Sequence, residues 1–157
     1  MTSRHSHGTL SLTRAIALAC SVLLASCTGF QREWKKTLAT GKPAPGSITG
    51  AWEGTWRSEV NGHQGRLRCI VQPEGKPGSS RHDVLYHATW MGFLSAPFSA
   101  THQVRKTPGG LAFSGQHRMP RWVGGLYEYE GTVKEDVFSS TYRCELDHGV
   151  FEMRRPR

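Results

Sequence analysis

Ile48-Thr49-Gly50-Ala51-Trp52-Glu53-Gly54-Thr55-Trp56-Arg57-Ser58 decides the fold. Its even positions hold Ile48, Trp52 and Trp56, with Gly50 and Gly54 between them. Its odd positions hold Thr49, Glu53, Thr55 and Arg57. An apolar and a polar side alternating every residue is the period of a strand with one buried face. Glycines on the tryptophan face make room for a large ring or a neighbouring backbone.

The same period continues to the end of the chain. Asn61-Gly62 is a hairpin signal, because both residue types tolerate the left-handed backbone of tight turns. A second strand spans 66–72, with Leu67, Cys69 and Val71 on one side. A turn-rich stretch, 73–80, separates it from a third strand at 84–91 that is apolar on both faces, so its inward side is left open. A fourth at 98–105 aligns Phe98, Ala100, His102 and Val104, and a fifth at 111–117 aligns Leu111 and Phe113. Tyr127, Tyr129 and Val133 share a face in the sixth; Phe138, Tyr142 and Cys144 do so in the seventh, and Phe151 and Met153 in the eighth. Eight short strands joined by hairpin-length turns predict an all-β domain, an antiparallel up-and-down barrel of about eight strands. Closure removes the exposed edges that would invite aggregation. The many rings on the apolar faces, each burying about 150–250 Å², supply the core.

Ahead of this domain, Arg14 precedes an apolar run from Ala15 to Leu24, followed by Leu24-Ala25-Ser26-Cys27. A basic start, a short apolar segment and small residues make a secretory signal, too short for a permanent bilayer span. Leu24 to Cys27 resembles the bacterial lipobox. The resemblance implies cleavage before Cys27, lipid on that cysteine, and a membrane-anchored lipoprotein of the bacterial cell envelope, on its periplasmic or surface side. The expected organisation is a signal peptide over 1–26, a lipid-anchored linker over 27–47 and a barrel domain over 48–157. Within the linker 30–36 can make a short helical turn, and 41–47, rich in Gly and Pro, reads as a spacer.

The chain carries 20 Lys and Arg against 12 Asp and Glu, a net charge of +8. Arg4 and Arg14 leave with the signal, so 18 bases face 12 acids in the mature chain. The charge is scattered, which reads as a solvated basic surface close to anionic head groups. No nucleic-acid motif is present and none is expected as partner. Of four cysteines, Cys20 lies in the signal and Cys27 is the lipidation candidate. Cys69 and Cys144 remain as an even pair in an oxidising compartment, which favours a disulfide over two buried free thiols.

Gly50-Ala51-Trp52-Glu53-Gly54 is similar to the Gly-x-Trp opening of lipocalin and calycin barrels, and to the Gly-x-Trp-x-Gly opening of nitrobindin-like haem barrels. In those families the tryptophan plugs one end of the barrel. A longer pattern runs through Gly54 to Ser58, Gly62 to Arg68, Tyr127 to Gly131, Ser140 to Arg143 and Asp147 to Met153. It resembles a family of bacterial exported lipoproteins of uncharacterised function and implies no activity.

Candidate ligand-binding residues are the inward rings and imidazoles: Trp52, Trp56, His102, His117, Tyr127, Tyr129 and Tyr142. Two imidazoles on adjacent strands, His102 and His117, suit a metal or haem iron, but no third ligand is marked by spacing; no metal site or cofactor is assigned. His63 and His148 lie on turns expected at one end of the barrel, near Asp147 and Glu59, and are candidates for acid–base work there. Glu128 and Glu130 read as a solvated pair. The sequence lacks a Gly-x-Ser-x-Gly elbow, and the chain is read as a binding protein rather than an enzyme. The expected function is a cell-envelope barrel that binds a small apolar or amphipathic ligand or an envelope partner. The alternative is a packed barrel acting as a structural or interaction module.

Overall fold

The computed structural model describes residues 29–75 and 78–157. The signal-peptide residues and Cys27 lie outside the described residues. Eight strands follow one another in the chain: β1 Gly50–Ser58, β2 Gln64–Pro73, β3 Arg81–Trp90, β4 Leu94–Thr107, β5 Gly110–Arg118, β6 Leu126–Lys134, β7 Val137–Arg143 and β8 His148–Arg154. Each pairs antiparallel with its sequence neighbours. β1 also pairs with β8, Trp56 opposite Phe151, which closes an up-and-down barrel. The expected fold class is therefore correct, and every strand has both edges satisfied within the chain.

Side-chain alternation assigns the interior. Trp52, Leu67, Cys69, Val84, Tyr86, His102, Phe113, Tyr129, Val133, Phe138 and Met153 are all buried inside the barrel. On β3 the inward set is Val84, Tyr86 and Ala88. The strand looks apolar on both faces because its outer face is covered too. Residues 29–39 form a helix, α1, that lays Phe30 and Trp34 on Ala51, Ile70 and Leu85 outside the barrel. Phe30 stacks on His87 at 4.8 Å, and the Arg68 guanidinium lies 5.1 Å from the Trp34 ring. The stretch read as linker thus contains a docked helix before the Pro- and Gly-rich residues that lead into β1.

The two ends of the barrel differ. At the base, where β1 begins and β8 ends, Trp52 donates its indole N–H to the Ile48 carbonyl at 2.8 Å. Arg155 lies over the Trp52 ring at 3.6 Å and donates to the carbonyls of Ser47, Thr49 and Ala51. Phe138 packs between Trp52 and Phe113, with centroids at 5.6 and 4.7 Å. This half is filled by its own side chains. The opposite end, the mouth, gathers the β1–β2, β3–β4, β5–β6 and β7–β8 connections.

Cys69 and Cys144 do not form the expected disulfide; both are free. Cys69 sits mid-barrel opposite Trp52 and Tyr86, in reach of the Arg155 charge at the base. Cys144 follows β7 at the mouth, beside Gly124 and Tyr127. Cys69 points inward, whereas Cys144 lies just past the end of β7, in a groove with Arg118 and Arg121, so the two stand at different heights along the barrel.

Candidate functional site

The mouth opens into a cup of about 240 Å³. Its wall is aromatic: Trp56, Trp90, Phe98, Tyr127, Tyr129, Tyr142 and Phe151, with Leu67, Ala88 and Met119 between them. The rings are ordered by mutual packing. Tyr86 stacks on Phe98 at 5.0 Å beneath the cup, Tyr142 on Phe151 at 5.0 Å, and Tyr127 lies near Tyr142 at 6.3 Å. Trp56 and Trp90 meet at 6.0 Å, and the Trp56 indole N–H donates to the Thr89 carbonyl at 3.0 Å. Gly65 makes that bond possible, since a Cβ there would fall within 2.7 Å of the Trp56 nitrogen and closer still to the Thr89 carbonyl oxygen.

Polar groups gather at the lip, where Asn61, His63 and Asp147 line the opening. The Asp147 carboxylate accepts hydrogen bonds from the Ser58 hydroxyl at 2.6 Å and the Tyr142 hydroxyl at 2.9 Å. Ser58 is itself buried and accepts from the backbone N–H groups of Val60 and Asn61, which fixes the first turn against the last. Burial, and then the bond to Asp147, push the Tyr142 phenol well above its ordinary range. Tyr127 donates to the Val123 carbonyl at 2.7 Å; burial and then Cys144 raise its pKa as well. These phenols stay protonated at neutral pH and present donors and ring faces rather than charge.

Trp56, Tyr127, Tyr129 and Tyr142 therefore meet at the cup, while Trp52 lies at the closed base. His102 is fully buried below the cup, and its Nε2 shares a hydrogen bond with the Tyr86 hydroxyl at 2.8 Å. Burial, with a smaller push from His82, lowers its pKa to about 4, and its Nδ1 has no partner. His117 lies beside Phe98 at 6.0 Å and is also held below the ordinary histidine value, by burial. Among the described residues no three His, Cys, Asp or Glu side chains are grouped to hold a metal ion.

His63 and His148 lie at the same end but not in the same space. His63 lines the cup. His148 opens β8 one residue before inward-facing Gly149, so alternation sends its side chain outside. There it joins Glu59, Glu128, Glu130 and Arg143 along a shallow polar groove of about 740 Å³. That groove is larger than the cup but open and lined mainly by solvated polar groups. The cup is smaller and walled by rings, and it is the better-defined binding space. Sequence reasoning put Leu67, Phe98 and Phe151 on inward faces without giving them to the ligand, and missed Ala88, Trp90, Met119 and Asn61 as wall residues. The strand period marks Trp90 once Val84, Tyr86 and Ala88 are known to face inward. Met119 and Asn61 sit in irregular turns and carry no such signal.

No protein-family model, curated protein or solved structure matches this chain.

Proposed function

We propose that this is a cell-envelope lipoprotein, anchored through Cys27, whose barrel takes a ring-sized amphipathic ligand into the cup at its mouth. The observation that supports this most is the asymmetry of the interior: a base packed around Trp52 and Phe138, and a mouth where seven rings enclose unfilled space. At about 240 Å³ the space exceeds an engineered apolar cavity of about 150 Å³ that accepts benzene, and falls just short of the range of about 300–1,000 Å³ usual for drug-sized ligands. One flat ring or a fused pair fits, stacked between aromatic faces, with a polar edge toward Asp147, Asn61 and His63. The reading is of binding, not catalysis.

Titrating isotope-labelled protein with indole and following its NMR spectrum tests the proposal. The expected result is shifts at the Trp56 and Trp90 indole N–H signals, with the Trp52 signal unmoved. Shifts spread over all the tryptophans, or none at saturating indole, would favour the packed scaffold.

A further inference from the structure

The exposed large apolar side chains of the barrel, among the described residues, are all at the mouth. Val60 sits in the β1–β2 turn, Met91, Phe93 and Leu94 at the β3–β4 turn, Trp122 in the β5–β6 loop and Leu146 in the β7–β8 turn. Trp122 is 81% exposed, and Met91 and Phe93 are each 74% exposed. Among the described residues, the base connections carry none. Each of the four mouth connections thus presents an apolar tip to water, and it is their gathering at one end of the barrel, not any single tip, that points to a partner.

The arrangement selects among partners. The tips come from four separate connections and ring an opening, instead of forming one continuous patch. A protein surface would have to match each tip and bridge the cup. A bilayer interface is fluid and accommodates separate tips, and tryptophan favours that level of the membrane. Arg118 and Arg121 flank Trp122 within four residues and can meet lipid phosphates. Of the acids at the same end, Asp147 is hydrogen-bonded to Ser58 and Tyr142 and Glu59 lies 3.8 Å from Arg57, while Glu128 and Glu145 share a groove with Arg118, Arg121 and Arg143, which leaves that face basic.

Chain length is compatible with the same orientation. Phe30 of α1 stacks on His87, three residues from Trp90 where β3 reaches the mouth, a distance of about 10 Å along the strand. Cys27 precedes Phe30 by three residues, which span at most about 10 Å. Lipid on Cys27 can therefore enter the bilayer that the rim touches.

We infer that the mouth docks onto a phospholipid bilayer, with Trp122, Met91 and Phe93 entering the head-group region and the cup facing the lipid. The orientation argument rests on the lipid-anchor reading; docking by the rim does not. The test therefore uses residues 28–157, which lack both leader and lipid. All strands of this unit are paired internally and α1 docks on them, so it is a self-contained fold. It is floated with vesicles of phosphatidylethanolamine and phosphatidylglycerol, beside a Met91→Ser, Phe93→Ser, Trp122→Ser variant. Those side chains are exposed, so the variant should melt like the parent.

The expected result is vesicle binding by the parent and at least about tenfold weaker binding by the variant. Brominated lipid should quench parent fluorescence, with most of the quenching gone in Trp122→Phe. No binding by the parent, or equal binding by the variant, overturns the inference. Rim-dependent self-association without vesicles overturns it too, by making a second copy the partner. Loss of fatty-acid labelling in Cys27→Ser tests the anchor separately and leaves this result unchanged.

Discussion

Acid should destabilise this barrel through one buried imidazole. His102 is fully buried, its Nε2 shares a hydrogen bond with Tyr86, and burial first, then His82, lower its pKa to about 4. In the unfolded chain the same group titrates near its ordinary value of 6.5. Between these two values the unfolded chain binds a proton that the folded chain refuses. The contribution is complete above 6.5 and is lost as the pH falls toward 4. Two and a half units at about 1.4 kcal/mol each amount to roughly 3 kcal/mol, a large share of the 5–15 kcal/mol typical of a domain. His87 and His117 are also lowered by burial and act in the same direction. The variant His102→Gln isolates the one group, since glutamine can still bond the Tyr86 hydroxyl but does not titrate. Urea unfolding of both proteins at pH 7 and pH 4 gives each its own pH penalty. The parent should lose roughly 3 kcal/mol more than the variant. Parallel losses would refute the reasoning and place the acid sensitivity elsewhere.

Three further outcomes follow from packing and chemistry. Trp34→Ala should lower stability by about 3 kcal/mol, read by thermal or urea unfolding, because it strips α1 of one of the two rings that hold it to Ala51, Ile70 and Leu85. Gly115→Ala should cost about 1–3 kcal/mol in the same assay, since its Cβ would lie 2.5 Å from the Thr101 carbonyl oxygen and collide with the His102 ring. Alkylation without reductant, read by mass spectrometry before and after unfolding, should find two free thiols in all. Cys144, part-exposed at the mouth, should react first. Cys69, buried and with its pKa pushed up by that burial, should react only on unfolding. A mass gain on reduction would restore the bridge.

Much of the fold was legible because a strand with one buried face writes its period directly into the sequence. Trp52 and Trp56 on β1, Phe98 to Val104 on β4 and Tyr127 to Val133 on β6 all face inward as their spacing indicates. The difficult places share a cause: a local pattern cannot report a distant neighbour. β3 reads as apolar on both faces because Leu85 lies under α1, and α1 itself is marked by only two rings among charged residues. β4 begins at Leu94 rather than Phe98, and it passes through Pro97 opposite His87, a residue type seldom found inside a strand.

The site was legible in part for the same reason. Alternation gives which side a residue faces, so Trp56, Tyr127, Tyr129 and Tyr142 could be named as interior. It does not give height along the barrel. Trp52 faces inward too but is packed at the base under Arg155. Cys69 and Cys144 share the inward spacing of their strands in the sequence, but they do not meet. His63 and His148 share an end, yet the alternation beyond Gly149 puts one in the cup and the other outside.

Occupancy of the cup is the central claim, and a native mass spectrum of exported residues 28–157 tests it most directly, run beside Ala88→Phe, which would place a ring in the cup. The account predicts an extra small mass on the parent, released on denaturation and lost from the variant. The bare polypeptide mass for both, retained after exposure to extracts of the cell envelope, would contradict it and leave a barrel whose aromatic mouth serves no ligand.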